Sequence, residues 1–252
     1  MKNIVIIGIG ADGRSLASYV LASTPHVRVM FLSDQDLSKN EEGLSQLLTN
    51  TCLLFIAANI TDEANLIKVE HVVHAAREQG VLVLGVALPC TKENNYQMLQ
   101  TWFTNVGALL VSEPEQLHMH LRNAVHEVAE IINEYGHLNV DFEDVRHILS
   151  MRGITRIGTS SAAGNNRAQR AALSAIQDVN VNQAQGLLVL LSAAKGRLQL
   201  ADSRQVMHAI NAFLPNSADV IFGAAYDDSL GDQLRVTVLV SGLPSPHNFD
   251  DY

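Results

Sequence analysis

The chain has 252 residues, 47% of them hydrophobic and only 17% charged, which is enough apolar material for one large domain or two compact ones and excludes an intrinsically disordered chain. Its formal net charge is −9 and its 17 Lys and Arg residues are scattered, so no nucleic acid partner and no direct membrane insertion are expected. Cys52 and Cys90 lie in or beside apolar runs, as core thiols of a reducing compartment do. Met1-Lys2-Asn3 leads directly into Ile4-Val5-Ile6-Ile7, too short for a signal-peptide apolar region, and no later run reaches spanning length, so a cytoplasmic chain is expected.

Five apolar runs lead the first half: Ile4 to Ile9, Val27 to Leu32, Leu53 to Ala58, Val81 to Leu88 and Ala108 to Val111. They are apolar throughout rather than alternating, which is the pattern of parallel strands covered on both faces. Segments of helical length separate them, at Ser15 to Ala22, Asp62 to Glu78 and Glu93 to Thr104. The fold class is therefore α/β, with a Rossmann-like parallel sheet over residues 1–112. Leu117, Leu121, Val125, Val128 and Ile132 then recur at helical spacing behind a capping-box start at Ser112-Glu113-Pro114-Glu115, giving a long central helix over 113–136.

A second, smaller mixed α/β domain is expected over 137–243. It comprises a short helix Asp141 to Leu149, strand Ile154 to Thr159, helix Asn166 to Ile176, strand Leu187 to Leu191 and helix Ser203 to Phe213. Two last strands, Val220 to Ala224 and Leu234 to Val240, are joined through the polar Asp227-Asp228-Ser229 and are expected to pair antiparallel. Residues 244–252 read as a loose, proline-broken tail.

Strand Ile4 to Ile7 runs into Gly8-Ile9-Gly10-Ala11-Asp12-Gly13, and Asp34 ends the next strand. Gly8, Gly10, Gly13 and Asp34 match the dinucleotide fingerprint, in which glycines admit a pyrophosphate to a helix N-terminus and an acid bonds a ribose hydroxyl. NAD is the cofactor that this reading implies, in an oxidoreductase. Asp12 opposes it, because a carboxylate in the turn repels a diphosphate, and a tight β-α turn needing small residues is the other explanation of the glycines. No general acid or substrate-binding pair stands beside the fingerprint.

Leu138-Asn139-Val140-Asp141-Phe142-Glu143-Asp144-Val145-Arg146 closely resembles the synergy loop of FtsZ, the bacterial tubulin homologue. Gly158-Thr159, Ala163-Gly164-Asn165-Asn166-Arg167-Ala168, Ala184-Gln185-Gly186-Leu187-Leu188-Val189 and Asp232-Gln233-Leu234-Arg235-Val236-Thr237-Val238 resemble the family's successive segments in order. The resemblance implies a shortened FtsZ/tubulin-type fold: a degenerate GTPase domain, the central helix, and an FtsZ-type C-terminal domain. It also implies that most of the family's nucleotide site has been lost here. Arg14 and Ser15 stand where the first loop should continue with glycines and an Asn, and only the short Gln35 to Thr51 replaces a long phosphate-contacting loop. Asn59-Ile60-Thr61-Asp62-Glu63-Ala64 replaces the glycine- and threonine-rich tubulin signature, while Pro114 and His118 fall where the family reads the guanine base.

Bare amides at a helix start attract phosphate. Here Thr61 is expected to cap the helix while Asp62 and Glu63 fill its first turn with negative charge. Each carboxylate facing a phosphate at about 4 Å costs about 4 kcal/mol at an effective dielectric near 20. No cofactor is therefore expected, with weak guanine-nucleotide binding left open.

In the family the synergy loop enters the next subunit's GTP pocket and its acids position the attacking water. Asn139, Asp141 and Asp144 match those residues, so the resemblance implies catalytic acids acting in trans, with an FtsZ-type protein or a second copy of the chain as head-to-tail partner in cell division. A plain helix cap by Asp141 accounts for the same acids. The tail lacks the apolar, basic peptide that reaches membrane adaptors in the family. No metal site is expected, since His71 with His74, and His118 with His120 and His126, have no completing carboxylate or Cys and read as surface histidines. Lys195 reads as a solvated loop charge, and Ser160-Ser161 is outside any nucleophile-elbow context.

Overall fold

The computed structural model describes residues 3–21, 27–31, 41–59, 62–87, 108–110, 122, 125–126, 128–129, 140–177 and 179–244. The chain divides into two compact units. One comprises Met1–Ala129 with Arg152–Ile154 and Ser245–Tyr252, the other Glu130–Met151 and Thr155–Pro244. The helix expected at Glu93 to Thr104 lies outside the described residues. So does most of the central helix, of which Arg122, Val125, His126, Val128 and Ala129 are described and helical.

In the first unit the elements run β1 (Asn3–Ile9), α1 (Gly10–Leu21), β2 (Val27–Phe31), α2 (Glu41–Leu47), β3 (Thr51–Ala58), α3 (Glu63–Glu78), β4 (Leu82–Ala87) and β5 (Ala108–Leu110). The strands lie in the order β2-β1-β3-β4-β5 and each neighbouring pair is parallel. Ile4 faces Val27 on one side and Leu53 on the other, and Leu53 faces Leu82. Ile4 to Ile7 and Leu53 to Ala58 are buried regardless of which face they point to, which is why these runs carry no polar alternation. Val69, Val72, Val73 and Ala76, recurring at three and four, bury one side of α3.

α1 begins at Gly10, five residues before the expected Ser15, so the glycine-rich turn forms the helix's own first turn. A Cβ at Gly13 would stand 2.1 Å from the Ala57 carbonyl oxygen, so a side chain there would push α1 off β3. α2 falls within the short stretch that showed no helical signal, where its seven residues are too few for a period to stand out.

The second unit holds α4 (Phe142–Leu149), β6 (Gly153–Ala162) from Thr155 onward, α5 (Arg167–Ile176), β7 (Gly186–Ala193), α6 (Leu200–Asn211), β8 (Asp219–Tyr226) and β9 (Leu234–Leu243). Its strand order is β6-β9-β7-β8. All eight residues of β7 are buried, with β8 parallel on one side and β9 antiparallel on the other. The expected β8–β9 hairpin is therefore corrected: the two strands do not pair, and β7 runs between them. The connection can step across one strand because it carries a 3-10 turn, Asp228–Leu230, and binds the end of the strand it crosses. The Asp227 N–H donates to the Ala193 carbonyl and the Lys195 N–H to the Asp228 carboxylate at 2.8 Å. α6 starts a turn earlier than the expected Ser203, because the Asp202 carboxylate accepts the Gln199 N–H at 3.0 Å and closes a capping box there.

Candidate functional site

Two places carry the predicted residues, one in each unit. In the first, β1 and β3 end side by side, with Gly8 opposite Ala57 and Ile9 opposite Ala58, and α1 and α3 start just beyond. A Cβ at Gly8 would meet the Gly13 carbonyl at 2.5 Å. Gly10 has φ +72°, the left-handed region that favours glycine, and a Cβ on it would lie 2.8 Å from the Asn65 Nδ2. All three glycines thus have close neighbours from the chain itself. Asp34 lies outside the described residues.

The N-cap of α3 is Asp62, not the expected Thr61, which lies outside the described residues. Asp62 has extended backbone geometry and its carboxylate accepts the Ala64 N–H at 3.0 Å, the arrangement of a cap, with Glu63 following in the first turn. Asn65 is only 4% exposed and donates toward the Asn59 carbonyl at 3.4 Å. Asn59 in turn donates to the Asp12 carboxylate at 2.8 Å. Side chains from β3's end and α3 are thereby drawn onto the first turn of α1. Sequence reading missed Asn65. Its signal was a polar residue four and seven positions before Val69 and Val72, on the buried stripe of α3, where a carboxamide must find a polar partner.

In the second unit, Asp141 and Asp144 come together at the start of α4. The Asp141 carboxylate accepts the Glu143 N–H at 3.5 Å and the Asp144 carboxylate accepts the Asp141 N–H at 3.1 Å, a reciprocal capping box. Both acids are solvent-exposed, so each keeps lone pairs free of the helix. Phe142, Val145, Ile148 and Leu149 bury the opposite side of α4, and Val140 packs on Gly223, where a Cβ would come within 2.7 Å of its methyl group. His147 Nε2 lies 2.8 Å from Asp219 Oδ2 at the start of β8. This His–Asp pair, 72 residues apart, left no trace in the sequence. Asn139, Pro114 and His118 lie outside the described residues.

His71 and His74 are exposed on α3, and among the described residues no three His, Cys, Asp or Glu side chains gather as a metal site would require. Lys195 is exposed, in a turn held by its own backbone N–H. Among the described residues no helix is long and apolar enough to cross a membrane.

Residues 153–244 match the model of the FtsZ family, C-terminal domain. The cell division protein FtsZ of Coxiella burnetii is 40% identical over 130 residues, covering 50% of this chain and 33% of that protein. The cell division protein FtsZ of Pseudomonas putida is 28% identical over 234 residues, covering 81% of this chain and 58% of that protein. In both alignments the chain spans less than two thirds of its relative. Among solved structures, an empty FtsZ dimer from M. jannaschii superposes with a TM-score of 0.78 at 19% identity, over 96% of this chain and 88% of that one. A single fold thus extends across the chain, and sequence identity is higher over the half that Coxiella FtsZ matches than over the longer Pseudomonas alignment. Residues 153–244 are an FtsZ-family C-terminal domain, and the chain as a whole has the FtsZ/tubulin-like fold.

Proposed function

We propose that this chain is an FtsZ-like pseudo-GTPase that binds FtsZ-type filaments through the face bearing Asp141 and Asp144, caps or shortens them, and so regulates cell division. The observation that carries the reading is the state of α3's first turn. Asp62 already caps it, Glu63 adds a second carboxylate, and Asn65 reaches Gly10 while Asn59 binds Asp12. An incoming phosphate there meets carboxylates and a turn already in contact with the chain's own side chains, in place of free amides. The reading is supported on the other face by Asp141 and Asp144, which sit together, exposed, at the head of α4. A chain with one such face can join the end of a head-to-tail assembly without passing it on. Asp141 and Asp144 are the acids it would bring to a partner's GTP.

The first test is a thermal-shift titration with GTP, GDP, ATP and NAD, because a ligand that binds only the folded state raises its melting temperature. No shift is expected with any of them. A shift with guanine nucleotides overturns the reading of α3, and a shift with NAD alone returns the oxidoreductase. The second is light scattering of FtsZ polymerising with GTP. Stoichiometric addition of this chain is expected to lower the plateau, and an unchanged trace rejects capping.

A second reading is nucleotide-independent assembly of the chain with itself, favoured by its likeness to the FtsZ dimer described as empty. Sedimentation of the protein alone decides it: large species support self-assembly, and small species throughout dismiss it.

A further inference from the structure

We infer that His147 and Asp219 form a clamp that positions the acid-bearing end of α4, a role that rests on the partner-facing reading above. With eight residues, α4 is too short to be stable by itself, so its orientation is set by what it packs on. The packing is apolar, through Phe142, Val145, Ile148 and Leu149, which sets the side that α4 turns inward but supplies no directional bond. The capping box is internal to the helix and moves with it. Arg146 lies 3.4 Å from Glu143 and over the Phe142 ring at 5.0 Å.

The His147–Asp219 bond is different in kind, because it is directional and leaves the helix. At 2.8 Å it ties α4 to the start of β8, where the Asp219 N–H is itself held by the Gln185 carbonyl at 2.9 Å. The anchor thus has its backbone hydrogen-bonded into the sheet. With Asp219 ionised, His147 Nε2 carries the hydrogen. Positions 144 and 147 are three apart and share a helix face, so the clamp borders the face that carries Asp144. His147 and Asp219 are 59% and 60% exposed, where an ion pair adds little to global stability. Its effect falls on orientation, and a 1 Å misplacement of a group that orients water is enough to cost activity.

The experiment is hydrogen exchange of the Glu143, Asp144 and Val145 amides in the full chain, compared among wild type, H147A, H147Q and D219A. H147A and D219A are each expected to speed exchange about fivefold, the upper end for an exposed pair. H147Q, whose side-chain amide can still donate to Asp219, is expected to match wild type. Melting temperatures of all four should agree closely, which separates orientation from unfolding. Unchanged exchange in both H147A and D219A overturns the clamp, and so does equal acceleration in H147Q. The same variants added to polymerising FtsZ should rank in the same order. If wild type leaves FtsZ unaffected, the partner-facing function falls, while the exchange data still decide the clamp.

Discussion

Asp227 shows how one side chain can be pulled both ways. Partial burial works to raise its pKa, but the Ser229 hydroxyl and amide and the Arg235 guanidinium, 3.0 Å away, together outweigh burial and hold it below the ordinary carboxylate value of 3.8. A carboxylate depressed in the folded state stabilises the fold above its unfolded pKa, and loses that contribution as pH falls through the folded value. Melting temperature should therefore drop as pH is lowered from about 4, the unfolded carboxylate value, and Asp227→Asn should remove part of that slope while costing stability at neutral pH. Thr155 offers the opposite case. Its hydroxyl is buried with no hydrogen-bond partner among the described residues, so Thr155→Val exchanges an unsatisfied oxygen for a methyl group of the same shape. Thermal or urea unfolding should show the variant as stable as wild type or up to about 1 kcal/mol more so.

At the level of elements, Arg167 joins pieces that are remote in sequence. From the first turn of α5 it donates to the carbonyls of Asp232 and Arg197 and to the Asp202 carboxylate at 2.9 Å, and Asp202 also closes the capping box of α6. Both side chains are mostly buried. Arg167→Ala leaves Asp202 charged and unpaired there, and chemical denaturation should show a loss of roughly 3 kcal/mol. Asp141→Ala removes a single exposed cap, with an expected loss of about 1 kcal/mol. The contrast bears on what could be read from sequence. Strands such as Ile4 to Ile9 and Leu53 to Ala58 were legible because burial on both faces leaves an unbroken apolar run, and Asp141 was legible because a cap acts on its immediate neighbours. The Asn65–Asn59–Asp12 chain and the His147–Asp219 pair were not, since their partners are brought together only by the fold. The β8–β9 error has the same origin: a short polar connection signals a hairpin only when the strands it joins are neighbours, and seven residues anchored on Ala193 and Lys195 reach past one strand.

For the molecule as a whole, the position of β9 has a kinetic consequence. The last strand of the second unit to be synthesised is an interior one, flanked by β6 and β7, while β8, made before it, lies beyond β7. Until Leu234–Leu243 has left the ribosome, β7 presents one long edge with no strand to cover it, and this fully buried strand has no complete sheet to sit in. Each native pairing of β6 and β9 spans about the whole unit, a non-local topology that folds slowly. The unit should therefore stay protease-sensitive as a nascent chain until its final strand emerges, then close in one step, and in the interval the bare edge of β7 is a template on which another unfinished chain can pair.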